Sequence, residues 1–559
     1  MKAILVITAL ILISCTSQQD KATTGSNDAG TRTIVRTDTV YLERNTGITA
    51  ANAYSDLFLD SAVVEFFIQS NQLSAEEAKY FRSFYNYRNG QFAWFSTLGF
   101  TEQAKGFWNL QDQLGGKPDK ALRNKMDTLL NMDTLTISRF DTTLAQVELA
   151  LTKNYLQFYS TNRDKTLLGG TSAEKAIPAK KENTLTLTDS LLNRQVDTAY
   201  NKMNSPYYAL LKQLEQYRTV VRGGTLAPIP VVKQLKKGSS SPSVTAIKKR
   251  LQLMGHMNGM DTSATFNDSL VIAVTNFQFR NAMKPTGMIT DTFIRALNVP
   301  AELRMQQIII NLYRMQWMPA NTEPNYISVN IPDFLLSVYE NNTKVFDMPV
   351  AVGKEGTNTT IFSGKLDQIV FSPYWNIPAS IVQREILPQM KSNPGYLKSK
   401  NMEIVGKNDS LPVIRQLPGK DNALGRVKFL FPNRFDIYFH DTYAREIFNK
   451  KQRAVSHGCI RLSDPEKLAN YLLRNNKSWT PEKISSAMNA GKEQSARPEP
   501  AMPVMITYYT SWVDDQGQMN FKEDIYGNDK RVGQMLFNTI TTPVPMPVAT
   551  RDSAKQKTK

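Results

Sequence analysis

Reactive side chains are scarce in this chain, and most of them stand close together. Its 559 residues hold two cysteines, Cys15 and Cys459, and three histidines. Two of those histidines fall near Cys459. His440 sits in Ile437-Tyr-Phe-His440-Asp-Thr442, and His457 in Ala454-Val-Ser456-His457-Gly458-Cys459-Ile460-Arg461-Leu462. Cysteine attacks a carbonyl as its thiolate, so it needs a base or a positive field beside it. A His at the end of one strand, facing a Cys on the next loop, meets that need. Gly458 removes a side chain just before the sulfur and frees the loop's φ angle. Backbone N–H groups around Gly458 and Cys459 are then candidate donors to an oxyanion, which acyl transfer requires.

Other chemistries fit less well. His440, His457 and Cys459 could supply three zinc ligands, but His457 and Cys459 are nearly adjacent and no clear acidic partner stands behind them to orient them. No metal and no cofactor is therefore expected. Papain-like and amidase peptidases also pair Cys with His, but they place the Cys first in the chain, whereas His440 precedes Cys459 here. His256, alone in a Met-Gly-His-Met segment, reads as a surface residue.

These groups need a rigid frame, and the periodicity supplies one. From Ile327 the apolar residues alternate (Ile327, Val329, Ile331, then Leu336, Val338), with an Asn341-Asn342 turn before Val345–Val352. That is a β-hairpin opening a mostly β domain over 326–480, interrupted at about 380–422 by a helical, Lys- and Pro-containing insert. Ser463-Asp-Pro-Glu466 reads as a capping box for a helix bracing the cysteine loop. An extension spans 481–538, and 539–559, rich in Pro and Lys, reads as disordered.

Upstream, 51–237 is mainly helical. Ser74-Ala-Glu-Glu77 reads as a capping box, and Leu144, Val147, Leu151, Tyr155 and Phe158 recur at helical spacing. The aromatic clusters at Phe81–Tyr87 and Phe92–Phe95 read as core, and the polar piece between Gly169 and Thr184 as an exposed excursion. Gly238-Ser-Ser-Ser-Pro242 marks a boundary, after which 241–299 holds three short amphipathic helices, and 300–325 is a helical connector.

The N-terminus reads as an export signal. Lys2, an apolar run to Leu12, and Ile13-Ser14-Cys15 make a segment too short for a membrane span. Leu12-Ile13-Ser14-Cys15 resembles a bacterial lipobox, which implies signal residues 1–15, a lipid on Cys15 and a flexible tether over 16–50. With Cys15 lipidated, Cys459 has no intrachain partner in an exported protein. The net charge of +17 favours an anionic partner, a membrane surface or a carboxylate-rich wall. No nucleic-acid motif is present, so no nucleic-acid partner is expected.

A His sixteen positions before Ser456-His457-Gly458-Cys459 resembles the signature of the L,D-transpeptidase (YkuD-like) catalytic domain. Pro373-Tyr-Trp375-Asn-Ile-Pro378, Asn393-Pro-Gly395-Tyr396 and Asp524-Ile-Tyr526 look like its large YcbB-like branch. Residues 241–299, with Phe277-Gln278 and Gly287-Met-Ile289, resemble the three-helix peptidoglycan-binding module. The fold so implied is multidomain α+β: a helical scaffold, that module, and a mostly β catalytic domain with a helical insert.

The resemblance implies roles. Cys459 would form a thioester with a stem-peptide carbonyl and His440 would be its base, giving 3→3 cross-links and susceptibility to carbapenems. The Asp441 carbonyl would orient His440, and Ser456 and Gly458 would shape the loop. His457, where that branch often has Ser, would be accessory. Arg461 would contact a substrate carboxylate or support the loop, and Tyr438 and Trp375 would wall the site. Partners would be peptidoglycan stem peptides, at the periplasmic side of the cell envelope. An L,D-carboxypeptidase or hydrolase on the same fold, and a catalytically silent wall-binding scaffold, stay open.

Overall fold

The computed structural model describes residues 40–130, 137, 141–162, 172–193, 205–224, 226–232, 234–259, 261–317, 323–408 and 411–539. Cys15, most of the expected tether and nearly all of the expected C-terminal tail lie outside the described residues.

The N-terminal helices begin where side chains can take up the orphan N–H groups of a first turn. Asp60 caps Ser61–Ser70, and Ser74 with Glu77 closes a reciprocal capping box on Ala75–Tyr87. Helices Glu102–Gln113 and Thr142–Asn162 complete a core in which Phe81, Phe84, Trp94, Phe107, Trp108 and Tyr155 are buried. The aromatic clusters are core. Glu148 is buried among them and accepts from Ala93 N (2.7 Å) and Trp94 N (3.0 Å), which satisfies its carboxylate.

The stretch before Thr184 is not an exposed excursion where it is described. Ala173, Ala176, Ile177 and Ala179 are buried. Its backbone takes hydrogen bonds from deep groups, Pro178 O from Arg88 and Ala176 O from Gln316. The lysines misled, because the alanines between them carry the packing.

Residues 241–299 form three helices, Pro242–Leu253, Asp268–Arg280 and Asp291–Leu297, around their own core. Gln278 explains the motif that follows it. Its Oε1 accepts from the N–H groups of Thr286 and Gly287, both 2.9 Å, and its Nε2 donates to Met288 O at 2.8 Å. His256 is not a surface residue. It is buried edge-on to Phe277 with ring centroids 5.0 Å apart. The connector helix, Ala301–Met315, is buried from Leu303 to Met315, apart from Gln307, and packs between helices Thr184–Leu192 and Ser205–Arg222 and the C-terminal helix Asn528–Leu536. Its buried polar side chains are partnered: Gln306 donates to Thr184 Oγ1, Asn311 to Thr510 Oγ1 and Arg314 to Asp529.

The catalytic region is one curled sheet of eleven strands among the described residues. In chain order they are β1 (Tyr326–Asn330), β2 (Leu335–Glu340), β3 (Thr343–Gly353), β4 (Phe362–Leu366), β5 (Gln368–Phe371), β6 (Val427–Leu430), β7 (Phe439–His440), β8 (Ala454–Ser456), β9 (Ile460–Leu462), β10 (Gln494–Ala496) and β11 (Met502–Thr507). The spatial order is β10-β5-β6-β7-β9-β3-β2-β1-β11-β4, with β8 paired to β3. The alternating hairpin is there, Val329 opposite Leu336 and Ile327 opposite Val338. Strand β11 lies between β1 and β4, so the sheet draws on residues beyond 480.

The insert is only half helical. Helical segments within 379–399 are followed by strands Met402–Asn408 and Leu411–Gln416, which pair with each other, the second also pairing with Trp375–Asn376. The β-branched pairs Ile404-Val405 and Val413-Ile414 favour that outcome. The helix after the cysteine loop is capped by Asp464, which accepts from Lys467 N, with Pro465 opening the helix. The expected Ser463–Glu466 box is one residue out of register.

Candidate active site

Strand alternation puts the reactive groups on one face. Phe439, Ile460 and Leu462 point into the sheet's core, so their neighbours Tyr438, His440, Cys459 and Arg461 turn the other way. Strands β7 and β9 run parallel, with Phe439 opposite Ile460 and His440 opposite Arg461. Ile460 N donates to Tyr438 O at 3.1 Å.

His440 is buried, and its Nδ1 lies 2.6 Å from the carbonyl oxygen of Asp441. A carbonyl only accepts, so Nδ1 carries the hydrogen and Nε2 keeps its lone pair. Burial, and then the Arg461 charge, lower the imidazole to about 3, against the Asp441 hydrogen bond. The ring is therefore a neutral base at ordinary pH. The Asp441 carboxylate fixes that carbonyl from the other side. It accepts from Thr442 N (2.7 Å), Arg426 N (2.9 Å) and Arg445 Nη2 (2.6 Å). Gly425, at φ +63, lies so close to Asp441 that a Cβ there would meet its side chain at 2.5 Å.

Cys459 is half-buried and unpaired. Its thiol faces the carbonyl oxygen of Asp436 at 3.5 Å. Burial pushes the thiol up to about 11, against hydrogen bonds with Tyr438 and the Arg461 charge. The resting pair is thus thiol and neutral imidazole. Arg461 is half-buried, and its Nε has no hydrogen-bond partner, which leaves a donor in reserve beside the sulfur.

The loop before the sulfur is tied on several sides. Gly458 sits at φ +115, which favours glycine. Its N–H donates to Ser456 Oγ (3.2 Å), and Ser456 Oγ donates to Cys459 O (2.5 Å). The Gly458 N–H is thereby engaged. The Cys459 N–H has no such bond among the described residues and is the freer donor. Thr359 Oγ1 donates to Gly458 O at 2.7 Å and accepts from Gly353 N at 2.9 Å. Tyr526 Oη in turn donates to Gly353 O and accepts from Thr359 N. Sequence reasoning missed Asp436, Gly425, Thr359 and Tyr526 as supports, because each acts through a long-range backbone contact that no local spacing encodes.

The remaining residues separate. His457 Nε2 lies 3.0 Å from Glu385 Oε1 in the insert, and both side chains are substantially exposed. Trp375 packs in the insert's small core with Ile377, Val382 and Ile414. Tyr438 borders His440, with ring centroids 5.9 Å apart. Among the described residues, no group of three or more His, Cys, Asp or Glu is arranged to hold a metal ion.

A family model described as the L,D-transpeptidase catalytic domain (YkuD) matches residues 324–522, the whole stretch that builds this face. The chain carries an L,D-transpeptidase catalytic domain. A second model, a scaffold domain, matches residues 79–214. A Haemophilus influenzae protein provisionally named an L,D-transpeptidase is 32% identical over 249 residues, covering 42% of this chain. The chain spans about half, 50%, of that relative's length. Among solved structures, an L,D-transpeptidase of Mycobacterium smegmatis matches at 14% identity and TM-score 0.19, covering 34% of this chain and 60% of that one. One from Stackebrandtia nassauensis matches at 13% identity and TM-score 0.19, covering 43% and 91%.

Proposed function

We propose that the chain is a cysteine L,D-transpeptidase of the cell envelope that forms 3→3 cross-links between peptidoglycan stem peptides. The observation that carries this reading is the Nδ1–H of His440 held on the Asp441 carbonyl, which frees Nε2 as a base on the face that bears Cys459. His440 takes the thiol proton as Cys459 attacks the carbonyl of a tetrapeptide stem. The C–N bond to the terminal D-amino acid breaks, the leaving amine takes that proton, and a thioester remains. A side-chain amine of a second stem then attacks the thioester, and its proton passes through His440 to the departing sulfur. The Cys459 N–H stabilises the oxyanion in each step, and Arg461 receives a substrate carboxylate. Residues 241–299 hold the enzyme on the wall, and a lipid on Cys15 holds it at the membrane. Among the described residues no helix is long and apolar enough to cross a membrane.

The test is intact-protein mass spectrometry after incubation with a carbapenem, alongside product analysis with a purified disaccharide-tetrapeptide. An adduct lost in Cys459→Ala, together with a 3→3 dimer, is the expected result. An adduct with only a tripeptide product would instead make the enzyme an L,D-carboxypeptidase. A folded protein that forms no adduct would be a wall-binding scaffold.

A further inference from the structure

Between the scaffold helix Glu102–Gln113 and the catalytic sheet lies a cleft that the chemistry above leaves unused. It has about 80 Å³ of free space, and its walls include Lys105 and Asn109 from that helix, Asn358 and Thr359 after β3, and Asn528 and Arg531 from the C-terminal helix. Its charges do not balance. Glu102, which also lines the cleft, is engaged by Arg314 at 3.3 Å, and Arg314 also pairs with Asp529 at 2.6 Å. Lys105 and Arg531 are half-buried, and neither meets a carboxylate among the described residues. Among the described residues the guanidinium of Arg531 reaches the side-chain oxygen of Asn528. Burial, and with it the charges of Arg531 and Arg314, hold Lys105 below the usual ammonium range against the pull of Glu102. Two cations thus face one partly dry cleft whose lining carboxylate, Glu102, is already shared with Arg314; they repel each other and lack full hydration. An entering anion would relieve both costs.

We propose that this cleft is an anion subsite in which Lys105 and Arg531 jointly hold a carboxylate of a peptidoglycan stem peptide. The choice of stem peptide rests on the functional reading above; the anion chemistry rests on the cleft itself. The space suits a carboxylate and a few flanking atoms, and the amides of Asn109, Asn358 and Asn528 add polar groups around it. The location matters as well. Thr359 lines the cleft and also holds the Gly458 carbonyl, so an occupied subsite would brace the support of the cysteine loop.

The experiment is calorimetric titration of the full chain carrying Cys459→Ala, which prevents turnover. The probes are a disaccharide-tetrapeptide, its carboxyl-methylated form and inorganic phosphate. Lys105→Met and Arg531→Gln are each expected to weaken tetrapeptide binding about tenfold. Methylation should weaken it similarly and make both substitutions silent, and Lys105→Arg should restore it. Binding unchanged in Lys105→Met and Arg531→Gln chains that melt like the parent would overturn the subsite. Phosphate binding that depends on both cations, with methylation of the peptide without effect, would overturn the stem-peptide assignment. Failure of the functional reading is separately visible as absence of a carbapenem adduct on the unsubstituted chain. Phosphate binding lost in both variants would then still support the anion site.

Discussion

The Asp441 carbonyl oxygen lies 2.6 Å from His440 Nδ1, while the carboxylate of the same residue is held by Arg445 and Arg426 at 2.6 and 3.3 Å. One residue thus orients the His440 imidazole through its backbone and is itself oriented through its side chain. Asp441→Ala keeps the carbonyl but frees the loop. It should slow Cys459 acylation about ten- to a hundredfold, since small misplacement of a catalytic group is costly, and leave a residual rate. Asp441→Asn, which can still accept from Thr442 N, should fall between that variant and the parent. Stopped-flow acylation with a chromogenic carbapenem reads both.

Gly425 faces that arrangement from behind. An alanine there would put its Cβ 2.5 Å from the Asp441 side chain and hold a non-glycine residue at φ +63. Gly425→Ala should destabilise the fold by about 1–3 kcal/mol. It should also lower the acylation rate alongside Asp441→Ala. Urea denaturation gives the first quantity.

The resting thiol and imidazole are both neutral, with Cys459 pushed up to about 11 and His440 down to about 3. A preformed thiolate–imidazolium pair would give alkylation a plateau near neutrality. Here iodoacetamide labelling of Cys459 should instead climb about tenfold per pH unit from pH 7 to 10. Arg461→Met removes a charge that favours the thiolate, so it should shift that curve to higher pH. A flat profile at neutral pH would refute the neutral resting pair.

Much of this was legible in the sequence, for reasons that differ by element. The hairpin from Ile327 to Val338 was readable because a strand with one buried face must alternate. The Ser74–Glu77 cap and the three helices of 241–299 were readable because capping and helical periodicity are local. Contacts that depend on distant parts of the chain were not. The buried run around Ala176 looked exposed because lysines surround it, and His256 looked solvent-facing because its partner Phe277 lies on another helix. Half of the insert became β because its two β-branched runs pair with each other. At the site, the order and spacing of His440 and Cys459 were plain, whereas Thr359 and Tyr526 enter only once β3, the following loop and the C-terminal segment meet.

Tyr526 makes that last point measurable. Its hydroxyl joins Gly353 O to Thr359 N, and Thr359 holds the Gly458 carbonyl. Tyr526→Phe leaves buried backbone groups without that partner and should destabilise the protein by about 1–3 kcal/mol. Because Gly458 precedes Cys459, acylation should slow while the pH profile of thiol alkylation keeps its shape. Thr359→Val should reproduce the kinetic effect. Normal acylation in both variants would mean that the cysteine loop stands without this support.

His256 gives a pH signature that is independent of the active site. Burial, and then the charges of Arg280 and Arg304, lower its imidazole to about 4, and its ring packs against Phe277. In the unfolded chain the same group titrates near 6.5. Below that value the unfolded state binds a proton that the folded state refuses, so stability falls as the pH drops from about 6.5 towards 4. At pH 7 neither state is protonated, and the term vanishes. His256→Gln keeps a neutral polar group and removes the titration. The loss of stability between pH 7 and pH 4.5 should then shrink by on the order of 2 kcal/mol. His440, lowered for similar reasons, should leave a remaining slope of the same sign. Urea denaturation of parent and variant at pH 7.0, 5.5 and 4.5 separates the two histidines, and parallel curves would show that His256 does not titrate as its surroundings require.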